Sequence, residues 1–252
     1  MADKFVGERN LRFMLYEVLD VESFSKYPYY GDHSREIYDI MLDTALKMSR
    51  EMLYPCLTEM DKNPPELVSG RVKVHPTVSK ILSECGEGGW IGASARVDLG
   101  GQQLPHLIVS ACHFIMASAN YSGSVYPVLS SGAAHLIESF GSQDLIETYI
   151  PLMFSGKWQG TMALTEPQAG SSLTDITTQA VFTEEGYYLI RGQKIFISAG
   201  DHDGAENIVH LMLARIKGAP QGVKGISLFV VPKKRIGEDG ELESNDVTTV
   251  GV

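Results

Sequence analysis

Between residues 37 and 52 the positions Ile37, Ile40, Met41, Thr44, Met48 and Met52 recur at helical spacing, with Asp32 or Ser34 available as a cap and Pro55 as an expected stop. A Pro-rich loop at Lys62-Asn63-Pro64-Pro65 separates this helix from a shorter one predicted over 75–85. The run Gly86-Glu87-Gly88-Gly89-Trp90-Ile91-Gly92 matches neither dinucleotide nor P-loop spacing, and reads as a helix-ending turn. Two further helices are predicted over 105–121 and 123–140. In the second, Ala133, Leu136, Ile137 and Phe140 form an i, i+3, i+4, i+7 stripe, with Gly141 placed as a C′ residue. Ser142 can cap a last helix whose seam Leu145, Ile146, Tyr149 and Ile150 runs to Pro151.

At Trp158 the period changes. The segments WQGTMALTE, DITTQAVFT, YYLIRG, QKIFISA, NIVHLMLARI, GISLFVVP and DVTTV are rich in β-branched and aromatic residues and are separated by turn signals such as Thr183-Glu184-Glu185-Gly186. The pattern predicts an α+β chain, an all-helical part over 1–155 followed by a small antiparallel β-barrel or sandwich over 156–252. The polar stretch before DVTTV, and an ending at what looks like the start of a strand, lead us to expect a truncated chain.

Composition narrows the function. The 252 residues carry 44% apolar residues, enough for a sizeable core. A formal net charge of −10 disfavours nucleic acid, and Lys233-Lys234-Arg235 is too short to form a basic patch. The three cysteines Cys56, Cys85 and Cys112 are odd in number and widely spaced, which argues against a disulfide framework and fits a reducing compartment. The N-terminus is broken by charges every few residues, and no apolar run approaches the length of a membrane span. A cytoplasmic location is expected, with the Asn120-Tyr121-Ser122 sequon unused.

Most catalytic motifs are missing. There is no H-E-x-x-H, G-x-S-x-G or EF-hand loop, and the seven histidines do not pair at metal-ligand spacings. Asp201-His202-Asp203 reads as a solvated turn, because three consecutive side chains diverge on a loop. Glu166, beside Pro167, could act as a base, but fixing a turn by accepting backbone amides is the simpler role. Met116 and Tyr121 could line a pocket or pack in a core, and packing is the simpler reading.

Two blocks carry more. Met162-Ala163-Leu164-Thr165-Glu166-Pro167-Gln168-Ala169-Gly170-Ser171, followed by Gly192-Gln193-Lys194-Ile195-Phe196-Ile197-Ser198-Ala199-Gly200, resembles the acyl-CoA dehydrogenase family in residue type and mutual spacing. The approach from Gly141 to Gly160 is similar to that family's last N-terminal helix and first flavin-binding strand. The stretches 206–215 and 225–232 resemble its longer-chain branch, which includes methylmercaptopropionyl-CoA dehydrogenase-like enzymes. The likeness extends over most of residues 36 to 252.

The resemblance implies FAD as cofactor, an acyl-CoA thioester oxidised to the 2-enoyl-CoA, an electron-transfer flavoprotein as acceptor, and a homo-oligomer, dimer or tetramer. Residue by residue it places Met162, Ala163, Leu164 and Thr165 along the flavin edge. Gly170 and Ser171 fall at the FAD pyrophosphate, with Ser171 also on the acyl-CoA. Phe196, Ile197 and Ser198 fall at the flavin face and its hydride-accepting nitrogen. Neutral donors at the edge would stabilise the charge of a reduced flavin without a buried countercharge. Ser172 stands where the family commonly has Asp, and Ala199 where Asn is frequent. The general-base carboxylate and a C-terminal helical domain are expected beyond residue 252, which leaves no catalytic residue in view. A flavin oxidase or monooxygenase of the same fold, and a non-catalytic binding protein, are the competing expectations.

Overall fold

The computed structural model describes residues 5–252, so the first four residues of the charge-broken N-terminus lie outside the described residues. Six α-helices, numbered in chain order, carry the first part: α1 (Glu8–Phe13), α2 (Arg35–Met48), α3 (Tyr54–Lys62), α4 (Thr77–Glu87), α5 (His106–Phe140) and α6 (Gln143–Phe154). A short hairpin of β1 (Glu66–Val68) and β2 (Arg71–Lys73) fills the Pro-rich connection. The caps read from sequence form as expected: the Ser34 hydroxyl accepts the Ile37 amide at 3.4 Å, and Ser142 accepts that of Leu145 at 3.5 Å. Gly88 caps α4 and Gly89 follows at φ 71°, so the glycine run does end a helix.

Pro55 does not stop the helix. A π-turn over Ser49–Leu53 carries α2 into α3 with Leu53 and Tyr54 still helical, so Pro55 lies inside a continuous run, directly after the widened turn. The two helices expected over 105–140 form one run broken at Asn120, whose backbone (φ −163°, ψ 93°) is not helical. The Asn120 side chain explains the break. Its Oδ1 accepts the Gly123 amide at 3.0 Å, capping the second segment, while its Nδ2 donates to the Leu53 carbonyl at 3.0 Å. Fully buried and bonded at both ends, this asparagine cannot carry a glycan. Gly141 does not take the left-handed C′ conformation (φ −74°, ψ 155°); the close Ile137 carbonyl, 2.5 Å from where a Cβ would sit, is what excludes a side chain there.

The second part holds a five-stranded sheet. Its strands are β3 (Trp158–Ala163), β4 (Gln179–Phe182), β5 (Tyr188–Arg191), β6 (Asn207–Ile216) and β7 (Ile226–Pro232), followed by a hairpin of β8 (Lys234–Ile236) and β9 (Leu242–Ser244). The order is β3-β6-β4-β5, with β7 also on β6. Helices followed by curled strands are what the α+β expectation described. Within the sheet, however, β6 runs parallel to both β3 and β4 and antiparallel to β7, so the sheet is mixed rather than purely antiparallel. The long connection from β3 to β6 returns the chain in the same direction, which a hairpin cannot do. Two expected strands do not form. Residues 193–199 are irregular, with Phe196 and Ala199 at φ 56° and 51°, and residues 246–250 join no ladder, with Asp246 in a bend at φ 50°. A left-handed residue breaks the side-chain alternation that a ladder needs.

Helices and sheet share buried surface. One cluster joins α2, α4 and the first half of α5 through residues such as Tyr38, Leu42, Ile81, Ile108 and Ile115. A second joins the end of α5 and α6 to the sheet: Ala133, Ile137, Ile150 and Met153 against Trp158, Val209 and Leu211. Gly160 sets that spacing. A Cβ on it would lie 2.6 Å from both Ala133 Cβ and Met153 Cε, and its amide donates to Ser130 Oγ at 3.0 Å. Met116 is buried in the first cluster and Tyr121 is exposed, so neither lines a pocket. The cysteines are unpaired, with Cys85 and Cys112 buried and their thiols pushed up to about 12 by desolvation. Among the described residues no helix is long and apolar enough to cross a membrane.

Candidate functional site

Glu166 organises the region. Its side chain is 1% exposed and accepts from five donors: the Thr177 amide (2.6 Å) and hydroxyl (2.9 Å), the Thr178 amide (3.1 Å), Gln168 Nε2 (2.8 Å) and Lys194 Nζ (2.8 Å). Burial alone would raise its pKa, but the Lys194 ammonium and the amides outweigh it and hold the carboxyl down at about 2. A carboxylate so engaged is a strut, not a base. It also clamps the two blocks together, because Lys194 donates a second bond to the Leu164 carbonyl at 3.1 Å and the Ile195 amide donates to the Thr165 carbonyl at 2.9 Å. Lys194 lies inside the quoted block, yet only the fold shows that it reaches Glu166.

The nine candidate residues fall in two groups. Ala163, Phe196, Ile197 and Ser198 line one wide cleft of about 2280 Å³. Met162 on β3, and Leu164 and Thr165 just past its end, lie outside that lining, and Gly170 and Ser171 lie on an exposed turn beyond them. Strand β3 ends the sheet, so one row of its backbone groups has no strand partner. The hydroxyls of Thr165, Ser171 and Ser198 make no hydrogen bond to any described residue. Phe196 is 90% exposed at φ 56°, an uncommon pairing of a bulky ring with left-handed backbone that costs on the order of 1–3 kcal/mol. A strained, uncovered ring beside unengaged donors has the makeup of a wall for a flat ligand.

The two departures also find their places. The Ser172 hydroxyl donates to Asp175 Oδ2 at 2.7 Å, which keeps a carboxylate on the same turn. Ala199 occupies a left-handed position, a conformation Asn tolerates better than Ala.

Sequence reasoning missed the floor of the cleft. Asp201 and His202 are buried rather than part of a solvated turn; Asp203 alone faces out, accepting from Lys73 Nζ at 2.8 Å and the Val74 amide at 3.0 Å. Divergence of the three side chains was legible, and no metal-holding group of His, Cys, Asp and Glu exists among the described residues. Asp201 Oδ1 pairs with Lys233 Nζ, so one member of the basic run, itself half-buried, is the partner of a buried carboxylate. On β6, His210 stands opposite Thr161 of β3, with Nδ1 2.8 Å from its Oγ1. Alternation of Gln159 and Thr161 on one face of β3 was the available signal for a polar floor.

Comparison with known proteins agrees with the blocks. The family model of the acyl-CoA dehydrogenase N-terminal domain matches residues 39–157, and that of the middle domain matches 161–247. A 3-methylmercaptopropionyl-CoA dehydrogenase of Ruegeria pomeroyi is 42% identical over 76% of this chain and 32% of its own length. A butyryl-CoA dehydrogenase of Syntrophomonas wolfei is 34% identical over 97% of this chain and 41% of its own. The structure of an acyl-CoA dehydrogenase complexed with FAD from Bacillus anthracis is similar in fold, with a TM-score of 0.65 at 24% identity, over 81% of this chain and 32% of that one. The chain thus spans a third to two fifths of the length of these relatives.

Proposed function

The chain belongs to the acyl-CoA dehydrogenase family, and on that premise we propose that it forms the FAD and acyl-CoA wall of an enzyme that oxidises an acyl-CoA thioester to the 2-enoyl-CoA. The observation that carries the reading is the clamp at Glu166 and Lys194. It sets the unengaged Thr165 hydroxyl and the exposed Phe196 ring on adjoining segments. In this reading residues 1–155 form a helical domain and 156–252 a β-domain.

Met162 to Thr165 hold the flavin edge through the open side of β3 and the Thr165 hydroxyl. Gly170 and Ser171 serve the pyrophosphate and the acyl-CoA from a turn with little side-chain bulk. Phe196 and Ile197 cover a ring face and exclude water, and the Ser198 hydroxyl donates at its edge. Bound FAD supplies the two-electron acceptor for the β-hydride. The α-proton needs a carboxylate base; Glu166 is unsuited because its oxygens are fully engaged, and the base is proposed to be a carboxylate beyond residue 252. Electrons pass on to an electron-transfer flavoprotein, the assembled enzyme is a homo-oligomer, and the unpaired cysteines fit a cytoplasmic setting.

Titrating this chain with FAD tests the reading. Weak, saturable binding is expected, with Thr165→Ala and Phe196→Ala each weakening it about tenfold, the effect of one lost contact of roughly 1–1.5 kcal/mol. No acyl-CoA turnover is expected from the chain alone. Robust turnover with a dye acceptor, or FAD affinity indifferent to both substitutions, would sink the proposal.

A further inference from the structure

Helix α1 does not stop at Phe13. A π-turn over Met14–Val18 prolongs it into a rod about 15 Å long, which lies ahead of the residues 39–157 matched by the N-terminal domain model. Its rear is fixed to α2. Leu15 and Tyr16 are buried in the helical cluster, and Arg35 lies over the Tyr16 ring at 4.2 Å. The Arg12 guanidinium donates to Glu8 at 3.1 Å, to Asp43 at 2.6 Å and to Asp39.

The front of the same rod is bare. Arg9, Asn10, Phe13, Met14, Glu17 and Val18 face outward, with Phe13 55%, Met14 45% and Val18 52% exposed. These three apolar side chains fall within six residues, on a helix whose other side already has its core, and so form a patch rather than scattered surface positions. Arg9 and Glu17, the two charges on this face, make no ion pair among the described residues, whereas Glu8 and Arg12 on the rear are both paired.

The face is complementary to its own inverse. Turned end for end about an axis between Phe13 and Met14, it meets a second copy with Arg9 beside Glu17 at both ends, Asn10 opposite Glu17, and the Met14 thioether on the Phe13 ring. A parallel approach would bring like charges together. An anionic surface would meet Glu17 and the net charge of −10. We propose that this face of α1 is the contact between two copies of the chain, an antiparallel helix pair centred on Phe13 and Met14 and closed at each end by an Arg9–Glu17 ion pair. Val18 of each copy covers the Arg9 methylenes of the other. Two such short faces bury well under the roughly 1,600 Å² of a standard interface, so the dimer is weak and concentration-dependent. The contact lies outside the cleft lining and does not rest on the flavin assignment.

Sedimentation equilibrium of the whole chain, without FAD, tests it by charge reversal. The unaltered chain is expected to show a reversible monomer–dimer equilibrium. Arg9→Glu and Glu17→Arg each set like charges at both ends of the pair and should weaken the dimer about tenfold, whereas the double variant exchanges the charges and should return to within about twofold of the original affinity. Phe13→Ala should weaken the dimer by a factor similar to that of the single reversals. All three positions are exposed, so the variants should keep the circular dichroism of the parent chain, and recovery in the double variant shows that the single losses are not unfolding. A chain that stays monomeric up to millimolar concentration, or a dimer whose affinity ignores the charge reversals, would overturn the proposal. Either result leaves the FAD titration as it stands.

Discussion

At the scale of single residues, buried charge sets the response to acid. Glu166 has its pKa depressed to about 2, so its stabilisation is complete above the ordinary carboxylate range and is lost as pH falls from about 4.5 towards 2. His202 and His210 are bases whose pKa values are depressed to about 4; the unfolded chain takes up their protons first, so stability also falls between about 6.5 and 4. Urea melts across pH should therefore show two acid limbs. Glu166→Gln should cost about 3–5 kcal/mol at pH 7, because Lys194 is left buried without its partner, and should flatten the lower limb while sparing the upper one. An unchanged lower limb in that variant would remove Glu166 from its central place. Little of this was legible in advance. The sequence shows Glu166 beside a proline and Asp201-His202-Asp203 on a loop, but burial is decided by what packs over them, and Lys194 and Lys233 meet their partners only across 28 and 32 residues of chain.

At the scale of elements, α2 and α6 were legible because each carries its own period and its own cap, Ser34 and Ser142, whereas at α3, which has no side-chain cap and follows a π-turn, the sequence predicts a stop at Pro55. The irregular segment 193–199 was not legible either: Ile195, Phe196 and Ile197 have strand-like side chains, while the backbone turns left-handed at Phe196 and Ala199. Side-chain type reports what a segment can pack against, not which way its backbone turns. Gly160 shows the same limit, since its need for a bare Cα comes from the helices that lie across it. Gly160→Ala should destabilise by about 1–3 kcal/mol through overpacking against Ala133 and Met153. Gly132 is exposed on α5, and a Cβ added there would meet nothing within 4 Å. The same substitution at Gly132 should act oppositely, gaining roughly 0.5–1 kcal/mol in helix propensity. Chemical denaturation of the two variants separates close approach from glycine flexibility; equal effects would discard the packing argument.

At the scale of the whole molecule, the change of period at Trp158 marks where helices give way to strands, but the buried surface does not divide there. The second cluster takes Ala133, Ile137, Ile150 and Met153 from helices and Trp158, Val209 and Leu211 from strands, while Phe154 packs against both clusters. Helix α5 runs through both as a common axis, and cooperative units follow shared burial rather than secondary structure. The two tryptophans sit one in each cluster, Trp90 in the helical one and Trp158 in the mixed one, and both are almost fully buried. Trp90→Phe and Trp158→Phe each leave a single reporter. The remaining fluorescence should follow far-ultraviolet circular dichroism through the same urea midpoint in both variants, within about 0.2 M for slopes of roughly 1–3 kcal/mol per molar. If the Trp158 signal moved well before the helical signal, the sheet would be unfolding by itself. The wall that carries Phe196 and Thr165 would then be held by its own ladder and the Glu166 clamp alone, and α5 would serve only as a neighbour.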